Sequence, residues 1–205
     1  MNKSRAKQFI VVVCALGFSG CTVHTSHGLY EGSPAQSWDY RASEGVYYYV
    51  PASGKFSTEE ITFSTANKGA LYMHLKVKLP AGARFEIQSA TISVVGSGGN
   101  NISVAIITPL ILRVPIQTQD GSYRFEEHFT DAGVEVEGST LHRPNAVMWR
   151  DIDAEIDKGM SIKIPAVDEF VLQIPGFEVN RVFIKPLIIQ FKWSNRTYHS
   201  YAPLQ

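Results

Sequence analysis

Hydrophobic and polar residues alternate along most of this chain with a period of two. In ALYMHLKVKLP, Leu71, Met73, Leu75, Val77 and Leu79 share one phase, and Tyr72, His74, Lys76 and Lys78 share the other. Successive strand side chains point to opposite faces, so this pattern predicts a half-buried β-strand that ends at Pro80. RVFIKPLIIQFKW repeats it, with Leu187, Ile189, Phe191 and Trp193 against Gln190 and Lys192. YRFEEHFT, MSIKIP and EFVLQIP are further strand candidates, and Pro165, Pro175 and Pro186 confine their neighbours to strand ends, edges or bulges. In RFEIQSATISVV the apolar phase changes between Ile87 and Ala90, which predicts a β-bulge near Gln88–Ser89. The turn GSGGNN then leads into ISVAIITPLIL, giving a hairpin. That last segment is apolar on both faces. It reads as a central strand covered on both sides, with a membrane-dipping or partner-binding tip as the alternative.

Many short strands with Gly/Pro turns and no βαβ rhythm predict an all-β, antiparallel β-sandwich over residues 45–205. One segment is ambiguous. In NAVMWRDIDAEIDKG, Met148, Ile152 and Ile156 recur at helical spacing, so a short helix near 145–158 is one reading. Ile152, Ala154 and Ile156 also alternate with acids, and Glu155 and Asp157 would oppose the dipole at a helix C-terminus. A hairpin turning at Asp157-Lys158-Gly159 is therefore preferred. Residues 21–44 lack a hydrophobic period and read as a flexible tether with a reach of roughly 27 Å. Leu29, Tyr30, Trp38 and Tyr40 set its second half apart as a segment able to dock on the domain.

The chain starts differently. Lys3, Arg5 and Lys7 precede an apolar run from Phe9 to Phe18, followed by small residues. This is the layout of a secretory signal, and a run so short rises only about 15 Å as a helix against a bilayer core of about 30 Å. Phe18-Ser19-Gly20-Cys21 resembles the lipobox of bacterial lipoproteins, with Phe18 in place of the usual leucine. The resemblance covers about the first two dozen residues. It implies a signal peptide over 1–20, Cys21 as the lipid-bearing mature N-terminus, and a membrane partner reached through that lipid. Thr22, where an aspartate would signal inner-membrane retention, implies the outer membrane if the source is Gram-negative. The alternative is a signal cut elsewhere, leaving Cys21 a free thiol.

Composition narrows the function. The only cysteines are Cys14 and Cys21, so the body holds by packing. Without residues 1–20 there are 16 basic and 19 acidic residues, net −3, which gives no electrostatic case for a nucleic-acid partner. The sharpest candidate chemistry is the row Asp151, Asp153, Glu155, Asp157. A calcium loop would need glycine where Ile156 stands, so the row reads as a solvated strand face. His24 and His27 read as polar spacer. His128 reads as part of a charged outer face with Arg124 and Glu126. His142 is a loop histidine near the acid row. Tyr47 and Tyr49 face opposite to Tyr48 and read as strand filling, with sugar stacking as the alternative. No nucleophile elbow, phosphate loop, zinc motif or paired CxxC occurs. The sequence therefore points to no cofactor, metal or catalytic set. Its best functional reading is a lipid-anchored, non-catalytic binding or accessory module for another envelope protein or glycan. An envelope hydrolase using Asp151, Asp153 or Glu155 with His142 is the alternative.

The lipobox yields a direct test. Cells fed a clickable fatty acid are expected to label the wild-type protein and not Cys21→Ser; equal labelling of both would rule out acylation at Cys21.

Overall fold

The computed structural model describes residues 22–43, 45–52, 59–131, 136–137, 140–141 and 151–201. All regular elements among them are strands. The chain divides into a large compact unit, Gly28–Arg196, and a smaller one formed by the two ends. In the smaller unit, residues 22–27 and 197–201 are strand. The large unit is described below.

One main sheet has the order β1 (Thr22–Gly32), β17 (Leu187–Tyr201), β14 (Glu169–Ile174), β7 (Thr91–Gly96), β8 (Asn101–Ile106). The other runs β10 (Tyr123–Thr130), β9 (Leu110–Gln117), β13 (Ile152–Lys163), β5 (Ala70–Leu79), β4 (Glu59–Asn67), β3 (Val46–Pro51), β2 (Trp38–Ser43), with β12 (Thr140–Leu141) paired to β13. A small third sheet joins β11 (Val136–Glu137), β6 (Arg84–Ile87), β15 (Phe177–Val179) and β16 (Val182–Ile184). The fold is all-β and sandwich-like, as the period-two pattern predicts.

The two main sheets meet through their apolar phases. β5 contributes Leu71, Met73, Leu75, Val77 and Leu79, all buried, while Tyr72 and Lys78 are exposed. β17 contributes Leu187, Ile189 and Phe191, with Ile188 and Gln190 outside. Phe191 is the central contact between the sheets. Its ring lies 5.6 Å from Phe63, 6.3 Å from Tyr47 and 5.3 Å from Phe170, the first two edge-on and the third stacked. Tyr49 extends the cluster onto Phe63, and its buried hydroxyl donates to the Ser33 carbonyl at 2.8 Å. Burial, with Tyr40 and Tyr47 nearby, pushes that hydroxyl well above the ordinary tyrosine range.

Four expectations change. Residues expected as a tether form β1 and β2, because Leu29, Tyr30 and Trp38 are buried. Tyr30 packs edge-on against Phe170 and Trp193 and donates to the Val167 carbonyl at 2.7 Å. Gly28 leaves the space for Trp193; a Cβ there would stand 2.1 Å from the indole. Second, the phase change near Gln88 is no bulge: β6 belongs to the small sheet and β7 to a main one, so the chain changes sheets there. Third, ISVAIITPLIL divides at a cis Thr108–Pro109 bond into β8 and β9. β8 ends its sheet, with Val104 and Ile106 exposed rather than covered. Fourth, Ile152–Lys163 is one unbroken strand. Neither a helix nor a turn forms at 152–159, because ten consecutive pairs with β5, from Ala154↔Leu79 to Lys163↔Ala70, carry β13 straight through Gly159. Residues 145–150 lie outside the described residues.

Phe191→Ala is expected to cost about 3–5 kcal/mol in urea unfolding, as for other buried aromatic truncations, and Gln190→Ala less than about 0.5 kcal/mol. Equal costs would contradict the assigned faces.

Candidate functional site

Residues directly opposite on paired strands share a face. The outer face of the larger main sheet therefore carries a charged band across four strands. Glu155 opposes Arg113 of β9 on one side and Lys78 of β5 on the other, Asp157 opposes Lys76, and Arg113 opposes Glu127 of β10. Arg113 bonds Asp157 through Nη1, Asp157 bonds His74 Nε2, and Lys76 Nζ meets Glu155 Oε2 at 3.0 Å. Arg113 Nε donates to Glu127 at 2.9 Å, and its Nη1 lies 3.8 Å from Glu155. Only 11% of the Glu155 side chain and 13% of Asp157 is exposed. The expected solvated face is thus a largely buried acid pair, covered by the longer side chains of the cations. Arg113 holds its proton more firmly than usual. Burial opposes its charge, but the hydrogen bond to Glu127 and the fields of Asp157, Glu127 and Glu155 outweigh that.

The rest of the acid row is structural too. Asp153 accepts from Thr140 Oγ1 at 2.7 Å, and that same oxygen accepts from the Ala81 amide at 2.8 Å. Thr140 thereby links Asp153 of β13 to the turn after β5. Asp151 is exposed just before β13. Among the described residues no three His, Cys, Asp or Glu groups converge as a metal set. Cys21 and His142 lie outside the described residues, so neither the lipid attachment point nor the proposed histidine partner of the acids is placed. His24 and His27 fall within β1. Tyr47 and Tyr49 are buried, while Tyr48 faces outward into a groove of about 440 Å³ with Arg41, Val50 and Glu60.

Beside the charged band stands the β9–β10 hairpin. β10 is exposed on both faces nearly throughout. Tyr123, Phe125 and Phe129 share the outer face with Arg113, while His128 opposes the buried Leu112 and so lies on the core-side face with Arg124 and Glu126. This reverses the sidedness expected for His128: aromatic residues look outward because β10 sits at the sheet edge. Phe129 is 71% exposed. The hairpin turn is firmly built. Gly121 adopts φ +80°, and the Thr118 amide donates to the Ser122 carbonyl at 2.9 Å. Asp120 accepts hydrogen bonds from the Thr118 hydroxyl and from the Ser122 hydroxyl and amide, which hold its carboxyl down to about 2.

His74, Lys76 and Arg113 were not singled out from sequence. The signal was present: β5 shows cations on its polar phase and β13 shows acids on its own, and opposite charges across neighbouring strands are favourable. Which strands are neighbours is not legible locally. No family model matches the chain, and no curated protein matches it in sequence.

Arg113→Met leaves two nearly buried carboxylates without their shared cation. Breaking a fully buried pair costs 3–5 kcal/mol; with Arg113 itself one-third exposed, about 2 kcal/mol is expected. Lys185→Met is the exposed control, expected within about 0.5 kcal/mol. The two denaturant midpoints check this. For Asp120, whose folded value is depressed from 3.8, the stabilisation is fully present above 3.8 and is lost as pH falls through about 2. Thr118→Val is expected to move the Asp120 titration midpoint, followed by NMR, up toward 3.8.

Proposed function

We propose that this protein is a lipid-anchored envelope lipoprotein acting as a non-catalytic binding or accessory module for another envelope component. The lipobox-like Phe18-Ser19-Gly20-Cys21 supports the anchor. The observation that carries the binding reading is the mutual satisfaction of the charged groups that converge. Glu155, Asp157, Arg113, Lys76 and His74 come from three strands, yet each bonds another of the set on the open face of a sheet. A hydrolase works through an acid or base held ready for substrate, with its pKa displaced toward that task. The groups here are used instead to join β5, β13 and β9. Phe129 is the most exposed large apolar side chain among the described residues, and with Tyr123 and Phe125 it lies on an edge strand suited to contact with a partner surface.

The test uses Cys21→Ser protein, which removes the anchor, and washed envelope fractions. Saturable binding is expected. Phe129→Asp is expected to weaken it about tenfold or more, the loss of a buried aromatic contact, and the exposed Lys185→Ala to leave it unchanged. Release of soluble glycan or peptide fragments from the same envelopes, abolished by Glu155→Gln or by His142→Ala, would replace this reading with the hydrolase.

A further inference from the structure

The outer edge of β10 has the features of a strand awaiting a partner. Among the described residues β10 is the last strand of its sheet, with eight consecutive in-register pairs to β9 and no proline or bulge. Long, flat, exposed edges are templates for further strand pairing, and proteins usually blunt them. The β8 edge of the other main sheet is blunted: the β7–β8 pairing slips at Val94/Val95. β10 is also exposed on both faces nearly throughout, so among the described residues nothing obstructs either face of a strand added beside it.

We infer that β10 pairs antiparallel with β10 of a second copy of this chain, about a twofold axis at Phe125. The sequence of the strand selects this occupant and register. In an antiparallel twofold pair, the residue on the axis faces its own copy. Centring on Arg124, Glu126, Glu127 or His128 sets an ionisable side chain against itself. Centring on Phe125 alone, among positions 124–128, avoids this. It places Phe125 against Phe125, and Arg124 against Glu126 of the partner copy, twice by symmetry. Aromatic and opposite-charge pairs are the favourable cross-strand combinations. Arg124 and Glu126 share the core-side face and are both exposed, so each is accessible to the other copy. On the outer face Phe125 meets its own copy and Tyr123 meets Glu127 of the partner copy, while Phe129 lies beyond the paired stretch.

The inference goes beyond the proposed function and does not depend on acylation. The experiment is sedimentation of the full chain in density-matched detergent. A concentration-dependent dimer is expected. Arg124→Glu and Glu126→Arg are each expected to weaken it about tenfold or more, and the double variant Arg124→Glu/Glu126→Arg to restore it to within about threefold, because the swap re-forms the same pairs. Superimposable thermal melts at a concentration where wild type is monomeric establish that all three fold. A wild-type protein that stays monomeric at all concentrations, single variants that dimerise as tightly as wild type, or a double variant that fails to recover would each overturn the twofold pairing at Phe125.

Discussion

Phe191 is the point on which the two sheets are joined. With no cysteine between Cys21 and the C-terminus, no disulfide can hold the layers together, and the contact must be made by packing. Phe191 reaches Phe63 and Tyr47 across the gap while stacking on Phe170 in its own sheet. Aromatic pairs in these geometries contribute about 0.5–1.5 kcal/mol beyond the area they bury. The same seam explains why the segment before residue 44 is ordered. Tyr30 continues it through Phe170 and Trp193, so β1 is held by buried rings.

Once the inner faces are committed to this seam, the outer faces must supply whatever else the strands need. One short ladder in the larger sheet joins β13 and β9, which pair at two positions, Glu155↔Arg113 and Ile156↔Leu112. The ion pairs are concentrated at that junction. Arg113 spans from Glu127 on β10 to Asp157 on β13, and Lys76 and His74 carry the links on to β5. The network therefore supplements a short backbone ladder and fastens the β9–β10 hairpin to the body. That hairpin bears Tyr123, Phe125 and Phe129, so under the proposed binding function the charged band holds the contact element in place.

Much of the fold was legible because burial writes a period of two into each strand. The phases of β5 and β17 were read residue by residue, and the prolines at 165, 175 and 186 do stand outside the strands. What was not legible depended on partners distant in sequence. Glycine after Asp157-Lys158 looks like a turn locally, but pairing with β5 keeps it extended. Two-sided apolarity in residues 102–112 looks like a covered strand, yet half of it is the edge strand β8. The candidate site failed in the same way. The acids of β13 were visible, but their burial comes from Arg113 on β9 and from His74 and Lys76 on β5. Sidedness in β10 was reversed because an edge strand can turn its aromatic residues outward, where a central one would bury them.

The central claim is that Arg113 and Asp157 form an energetically coupled tie between β9 and β13. A double-mutant cycle with Arg113→Met, Asp157→Asn and the pair, each unfolded in urea, measures that coupling most directly. Contacting charged residues in one network give about 0.5–3 kcal/mol, and at least about 1 kcal/mol is expected here. Additive single effects, with coupling below about 0.3 kcal/mol, would contradict the account and free these side chains for another role.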